Sequence, residues 1–154
     1  QWVARVKRAL SENRFFLEAQ PILPLQDDSA PRHYELLVRM HDEAGRVVPP
    51  GAFLPAVERY NLSQRLDRWV ISTALRWLAA HRGGVEHIGR VFVNLSGDSV
   101  GDPQLQEFIR QLIAETGVAR ALDHLVEARA RLAKAVADAV IAREFEDASA
   151  GAMM

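Results

Sequence analysis

Residues 34–40 of the chain read YELLVRM. This stretch is dense in strand-forming side chains, so it predicts a β-strand. Side chains alternate between the two faces of a strand, which places Glu35, Leu37 and Arg39 on one face. A carboxylate and a guanidinium therefore point in the same direction. For an isolated Glu-x-x-x-Arg pattern, an ion pair on a half-buried strand is the simpler interpretation. The neighbouring segments decide whether Glu35 and Arg39 form only a structural ion pair or belong to a functional site.

Two elements are predicted before this strand. Apolar residues at helical spacing predict an amphipathic helix from Trp2 to near Asn13. Residues 15–25 follow as an apolar segment, in which Pro21 and Pro24 restrict the regular strand to a short stretch. The polar residues 26–32 then form a turn or loop.

Helices and one further strand are predicted after it. A short helix begins at Phe53, and a longer helix has one apolar face made of Leu66, Trp69, Val70, Ala74, Trp77 and Leu78. Residues 91–95 form a third strand. Asp102 is a helix N-cap with Pro103 at the first helical position, and this helix extends to Gly117. The alternation of strands and helices predicts βα units with a parallel sheet.

The composition changes from Ala121 onward, where the chain becomes rich in alanine. Leucine and valine at helical spacing predict one long helix from about Asp123 to Phe145, followed by a frayed tail. At the other end, the sequence begins at Gln1 rather than at a methionine. We therefore expect the chain to be a segment of a longer protein with upstream domains.

The composition also excludes several classes of function. The 154 residues are 49% apolar and 25% charged, as in ordinary globular domains, and the net charge is -1. No basic stripe follows from this charge pattern, so a nucleic-acid polymer is not an expected partner. There is no cysteine, no signal peptide and no apolar run of about 20 residues. We expect a soluble, cytoplasmic chain without a transmembrane segment.

Five motif segments occur along the chain in this order: Gln20-Pro21-Ile22, Glu35-Leu36-Leu37, residues 49–62, residues 66–70 and Val93-Asn94-Leu95-Ser96. In sequence, order and spacing they resemble the EAL domain family, and this resemblance covers Trp2 to about Ala119. Glu35-Leu36-Leu37 stands where the family has the triplet that gives it its name, with a departure at the middle residue, which faces away from the site. The opening helix resembles the one that joins many EAL domains to a preceding GGDEF domain.

This resemblance implies a (β/α)8 barrel that binds cyclic di-GMP and hydrolyses one phosphodiester to linear pGpG. Such chemistry uses two Mg²⁺ or Mn²⁺ ions, which prefer oxygen ligands. By position, Glu35 and Asn94 match metal ligands, and Arg39 matches a phosphate-contacting residue. Gln20 and Leu37 match positions that line the ligand pocket. Without the resemblance, Asn94 is better interpreted as a turn residue at a strand end.

The sequence departs from the family in its later motifs. Glu127 is the nearest candidate for the next metal-binding glutamate, but its surroundings match poorly, and a solvated helix residue is the simpler interpretation. The tandem aspartates followed by Phe-Gly are absent, since Asp27 and Asp28 lie in an early loop. The two lysines, Lys7 and Lys134, do not suit the catalytic position. We therefore expect the chain to be catalytically inactive by itself.

The predicted organisation has three parts: a leading linker helix (1–14), an EAL-like half barrel (15–120) and a divergent alanine-rich helix with its tail (121–154). The fold class is α/β, a partial (β/α)8 TIM-type barrel with the first three or four βα units. A full barrel needs about 250 residues, so the open sheet would expose its edges. We expect either a homo-oligomer that completes the sheet or a rearrangement in which the last helix covers it.

Three functions follow as alternatives. The leading interpretation is an EAL domain for binding and hydrolysis of cyclic di-GMP, inactive in this form. The second is a non-catalytic cyclic di-GMP receptor that signals to other domains, such as an upstream GGDEF or sensory domain. The third is a structural self-association module that uses the last helix, with Leu125, Leu132 and Val136 as its contact surface.

Overall fold

The computed structural model describes residues 2–25, 32–81 and 88–118. The predicted helices and strands in these ranges are confirmed, whereas the predicted helix at 123–145 and the loop at 26–31 lie outside the described residues. The structure adds two short elements, β3 and α4. In chain order the elements are α1 (Trp2–Ser11), β1 (Phe15–Ile22), β2 (Arg32–His41), β3 (Val47–Val48), α2 (Pro50–Arg59), α3 (Ser63–Ala80), β4 (Ile88–Val93), α4 (Gly97–Val100) and α5 (Pro103–Thr116).

Local chemistry explains where three of the helices begin and end. After α1 and α2, Asn13 and Asn61 each have φ of 53°, a left-handed conformation that asparagine tolerates better than most residues. The carboxylate of Asp102 accepts a hydrogen bond from the Gln104 backbone N–H at 2.9 Å, as an N-cap should. Gly117 ends α5 with φ of 61°. The predicted cap and stop of α5 are both confirmed.

The sheet is mixed, which corrects the prediction of a parallel sheet. β2 lies in its centre, antiparallel to β1 and β3 and parallel to β4. The physical reason lies in the connections. Residues 23–31 are too few for a crossover, so they return the chain antiparallel, whereas α2 and α3 provide the crossover between β2 and β4. The parallel prediction is therefore confirmed only for β2 and β4.

One face of the sheet packs against the helices and forms the main core. Val6 of α1, Met40 of β2 and Phe53 of α2 are fully buried. The Phe15 ring on β1 contacts the Phe53 ring edge-on at 5.4 Å and the Trp69 ring at 5.6 Å. Burial of these side chains supplies the main favourable free energy of folding. The opening helix is therefore part of the core, in addition to any role as a linker.

A second apolar cluster joins α3 to α5 through Ile71, Leu105 and Leu112. Beside it, the guanidinium of Arg68 lies 5.2 Å from the centre of the Phe108 ring. These contacts fix the position of the last described helix. Among residues 2–25, 32–81 and 88–118, no helix is both long and apolar enough to cross a membrane.

A tight turn joins β2 to β3. Asp42 accepts hydrogen bonds from the backbone N–H groups of Ala44 and Arg46, both at 2.9 Å, and from the Arg46 side chain. These donors, with the Arg46 backbone N–H as the largest contribution, hold the pKa of Asp42 below its ordinary value. The turn keeps β3 paired with the carboxyl end of β2.

Candidate functional site

The side of the sheet opposite the helices carries polar side chains from adjacent strands. In the antiparallel register Gln20 lies opposite Glu35, and Glu18 lies opposite Leu37. Residues directly opposite each other share a face of the sheet. The alternation predicted for β2 is therefore confirmed, and β1 adds its own polar residues to the same face. We call this surface the polar face; it consists of Glu18, Gln20, Glu35, Leu37, Arg39 and Asn94.

Glu35 and Asn94 meet on this face although 59 positions separate them in the sequence. β4 runs parallel to the first half of β2, with Phe92 opposite Glu35, so Asn94 lies just beyond the end of β4. The Asn94 amide Nδ2 donates a hydrogen bond to Glu35 Oε1 at 2.7 Å. The two residues that the family resemblance assigns to a metal are thus brought into contact.

Arg39 forms an ion pair within the same face. Its guanidinium lies 2.7 Å from the Glu18 carboxylate, and its other terminal nitrogen donates to the Val38 carbonyl at 3.1 Å. The Arg39 side chain is 20% exposed, whereas that of Glu18 is 57% exposed. The arginine is therefore held in place by the sheet, and its acidic partner stands in water. Our sequence interpretation gave Glu18 no role.

A buried carboxylate positions the loop that carries Asn94. Asp67 on α3 accepts hydrogen bonds from the Ser96 backbone N–H at 3.0 Å and from Ser96 Oγ at 2.6 Å. Ser99 Oγ lies 3.1 Å from Ser96 Oγ, and both Asp67 and Ser99 are buried. Sequence reasoning assigned no role to this anchor. Its signal is an aspartate within the apolar side of a helix, between Leu66 and Trp69.

The donors on the polar face fit part of a site for a hard divalent cation. The Glu35 carboxylate and the Asn94 side-chain oxygen are ligand types that Mg²⁺ and Mn²⁺ prefer, and the two side chains are in contact in the structure. Within the described ranges, however, no group of three or more acidic, histidine or cysteine side chains comes together. Glu127 lies outside the described residues. Glu35 and Asn94 therefore fit two positions of a coordination shell, and other groups must supply the rest.

A separate groove lies on the helical side of the molecule. Its volume is about 370 Å³, and it is lined by Trp2, Ala52, Pro55, Ala56, Arg59 and Tyr60. Its lining is mainly apolar and includes no acidic side chain. This groove lies between α1 and α2, away from the strands that carry the polar residues, so it does not contribute to the candidate site.

Comparison with known proteins places this geometry in a family. The sequence profile of the EAL domain matches residues 3–143. The chain belongs to the EAL domain family. The match continues past Ala119, where the motif-based resemblance ends. EAL phosphodiesterases as a family are generally dependent on divalent metals.

Among curated EAL relatives, the chain is 35% identical over 111 residues to "Cyclic di-GMP phosphodiesterase PdeF" of Escherichia coli strain K12. It is 34% identical over 110 residues to "Cyclic di-GMP phosphodiesterase PdeB" of Shewanella oneidensis. These matches cover 72% and 71% of this chain but only 14% and 13% of those proteins. The chain thus corresponds to a small part of each relative.

Solved EAL domains support the fold. The chain matches the FimX EAL domain from Pseudomonas aeruginosa bound to c-di-GMP with a TM-score of 0.67 and 28% identity. This match covers 86% of the chain and 59% of that domain. The Xanthomonas citri FimX EAL domain in complex with c-diGMP matches with a TM-score of 0.65 and 30% identity, over 93% of the chain and 57% of that domain. The predicted partial barrel is confirmed.

Proposed function

We propose that this chain binds cyclic di-GMP on the polar face of its sheet. The observation that carries the proposal is the contact between Glu35 and Asn94, with Arg39 on the same face, in a chain of the EAL family. Two solved relatives of similar fold are described as bound to c-di-GMP. The same face of this chain presents the complementary chemistry.

The charges of the polar face suit an anionic ligand that brings a cation with it. Cyclic di-GMP carries two phosphodiester groups and therefore two negative charges. The planar guanidinium of Arg39 can donate two parallel hydrogen bonds to one phosphodiester. Glu35 and Asn94 would hold a divalent cation, which supplies charge neutralisation for the other negative groups. Gln20 and Leu37 would line the surface on which the nucleotide rests.

We further propose that these 154 residues bind the ligand without hydrolysing it. The tandem aspartates of the family and a suitably placed lysine are absent from the sequence. A carboxylate and an amide alone leave too few ligands for the two-metal chemistry that activates water for in-line attack. The chain then acts as a receptor, and a hydrolytic parent protein would need further residues.

Isothermal titration with cyclic di-GMP in the presence of Mg²⁺ or Mn²⁺ tests the binding proposal. Arg39→Gln removes the guanidinium from the face and should weaken binding by about tenfold or more, because a charge-assisted pair of hydrogen bonds is lost. Arg110→Gln is the matched control, since Arg110 lies on the surface of α5. Equal binding by both variants, or no binding by the unmodified chain, would contradict the proposal.

Chromatography of the same samples tests the absence of hydrolysis. After prolonged incubation with Mn²⁺, we expect intact cyclic di-GMP and no linear pGpG. Accumulation of pGpG in proportion to protein concentration would show that the chain completes a catalytic site by itself. Accumulation that rises with the square of protein concentration would instead indicate that two copies share the site.

We also propose that a second copy of the chain completes the sheet by pairing with one of its open edges. In the described residues, the outer edges of β1 and β4 have no strand partner, and unpaired edges invite pairing with another chain. Ile22 and Phe92, on these two strands, are 42% and 43% exposed. Light scattering should therefore report a dimer that Phe92→Asp dissociates and Val47→Asp leaves intact. A monomer at all concentrations would contradict this proposal. The alternative contact through Leu132 lies outside the described residues.

The setting of the chain in its parent protein also stays a proposal. We infer an upstream GGDEF or sensory domain connected through α1, and a cytoplasmic location where cyclic di-GMP is available. The packing of α1 against α2 and the sheet supports a coupled linker, because Val6 and Ala9 are fully buried in the main core. Expression of the full parent gene with a fused reporter would test the location directly.

A further inference from the structure

The ion pair between Glu18 and Arg39 occupies the group that the proposed ligand needs. Glu18 lies opposite Leu37, one alternation away from Arg39, so the two side chains meet diagonally across the strands. The carboxylate lies 2.7 Å from the guanidinium, and the Val38 carbonyl takes the other terminal nitrogen. Both terminal nitrogens of Arg39 therefore already have an acceptor within the protein.

The two partners differ in how firmly they are held. The Arg39 side chain is mostly buried at the sheet, whereas Glu18 is 57% exposed. An exposed carboxylate gains little from such a pair because water and salt screen the attraction. Glu18 can therefore swing into solvent at small cost, while Arg39 stays in position. A phosphodiester that approaches the polar face therefore competes with Glu18 for the Arg39 guanidinium, and it can displace the Glu18 carboxylate.

The local charge adds to this competition. Glu18 and Glu35 are both acidic and both belong to the polar face, and Arg39 balances only one of them. A cation held at Glu35 and Asn94 would offset Glu35, but Glu18 belongs to the neighbouring strand and pairs with Arg39 instead. With the ligand bound, an unpaired Glu18 would repel it.

We infer that Glu18 sets the affinity of the polar face by competing with the ligand phosphate for Arg39. It is a positioning residue that acts through the arginine and does not itself bind the ligand. The inference rests on the proposed binding of cyclic di-GMP and adds a specific consequence to it. Loss of the carboxylate should strengthen binding, which is the opposite of what removal of a binding residue does.

Glu18→Gln tests this inference by titration with cyclic di-GMP and Mn²⁺ at low salt. The glutamine keeps the size of the side chain and removes its charge, so the dissociation constant should fall about threefold to tenfold, within the range expected for an exposed charge pair and one repulsive charge. Glu107→Gln is the matched control, because Glu107 forms an exposed ion pair with Arg110 on α5. This control should bind like the unmodified chain.

A double-mutant cycle separates competition for Arg39 from a general effect of charge. In an Arg39→Gln background, Glu18→Gln should strengthen binding by less, because the arginine is absent and only the repulsion between Glu18 and the ligand is relieved. The gain from Glu18→Gln should also shrink as salt is raised, since screening weakens the pair. A merely structural role for Glu18 would change thermal stability in the same way in both backgrounds and would not produce this pattern.

The possible outcomes are distinct. Equal affinity of the Glu18→Gln and Glu107→Gln variants, with binding intact, would overturn the inference and leave the proposed function standing. A gain of equal size in the Arg39→Gln background would overturn competition through the arginine. No binding by any of the proteins, including the unmodified chain, would overturn the proposed function together with the inference.

Discussion

The two faces of the same strands differ in chemistry: one is packed with apolar side chains, and the other carries polar and charged ones. Phe15 and Phe16 are neighbours on β1, yet the Phe15 ring packs against Phe53 and Trp69, whereas the Phe16 ring stacks on His41 at 4.5 Å on the other side. The first face is an apolar core and the second carries the ion pair and hydrogen bonds of the site. Stability is therefore concentrated on one face, and the other is free to carry charged groups.

The largest expected loss of stability comes from the apolar face. Phe15→Ala should lower the free energy of unfolding by about 3–5 kcal/mol, because Phe15 is nearly fully buried and its loss leaves a cavity. Phe16→Ala is the matched control on the opposite face and should cost clearly less, because the Phe16 ring is only partly buried; its stacking on His41 contributes about 0.5–1.5 kcal/mol beyond that burial. Urea denaturation of both variants measures the difference. Equal costs would show that the two faces contribute alike.

An intermediate loss of stability is expected at Asp67, which joins α3 to the loop that carries Asn94. Asp67→Ala should cost about 1–3 kcal/mol, because the Ser96 backbone N–H and hydroxyl lose their buried acceptor. It should also weaken cyclic di-GMP binding, since the loop that carries Asn94 loses its anchor. Asp98→Ala removes a nearby exposed carboxylate and should change stability by no more than about 0.5 kcal/mol. Thermal melts and titrations on both variants would test this link, and a normal affinity in Asp67→Ala would break it.

The smallest expected loss of stability comes from the polar face, where a change at Asn94 tests the proposed cation site. Asn94→Asp places a second carboxylate beside Glu35 in place of a hydrogen-bond donor. Stability at pH 7 should fall by only about 0.5–1 kcal/mol, because Asn94 is exposed and water screens the repulsion. Mg²⁺ or Mn²⁺ should raise the melting temperature of this variant more than that of the unmodified chain.

Gln106→Glu adds the same charge on the exposed side of α5 and serves as the control for this variant. Metal ions should leave its melting temperature close to that of the unmodified chain. An equal response of the two variants to metal would show that Glu35 and Asn94 do not mark a cation site.

Much of the fold could be predicted because its signals are local. The alternation of Glu35, Leu37 and Arg39 follows from strand geometry, and the cap at Asp102 and the stop at Gly117 follow from backbone chemistry. The direction of β1 could not be predicted in this way. Strand pairing is a long-range property, and periodicity is the same in parallel and antiparallel strands.

Only part of the candidate site could be predicted, because some of its residues are defined by long-range contacts. The family resemblance supplied Glu35, Asn94 and Arg39, but no local pattern pairs Glu18 with an arginine on the next strand. Asp67 was missed because its meaning depends on a serine that is distant in the sequence. Both residues act through contacts that exist only after the chain has folded, so sequence spacing alone carries no signal for them.

Chemical-shift mapping reports which face of the sheet binds the ligand. On titration of the ¹⁵N-labelled chain with cyclic di-GMP and Mg²⁺, we expect the largest shifts at Gln20, Arg39 and Asn94, with α1 and α2 nearly unchanged. Shifts confined to the α1–α2 groove, or no shifts at saturating ligand, would show that the polar face does not bind cyclic di-GMP.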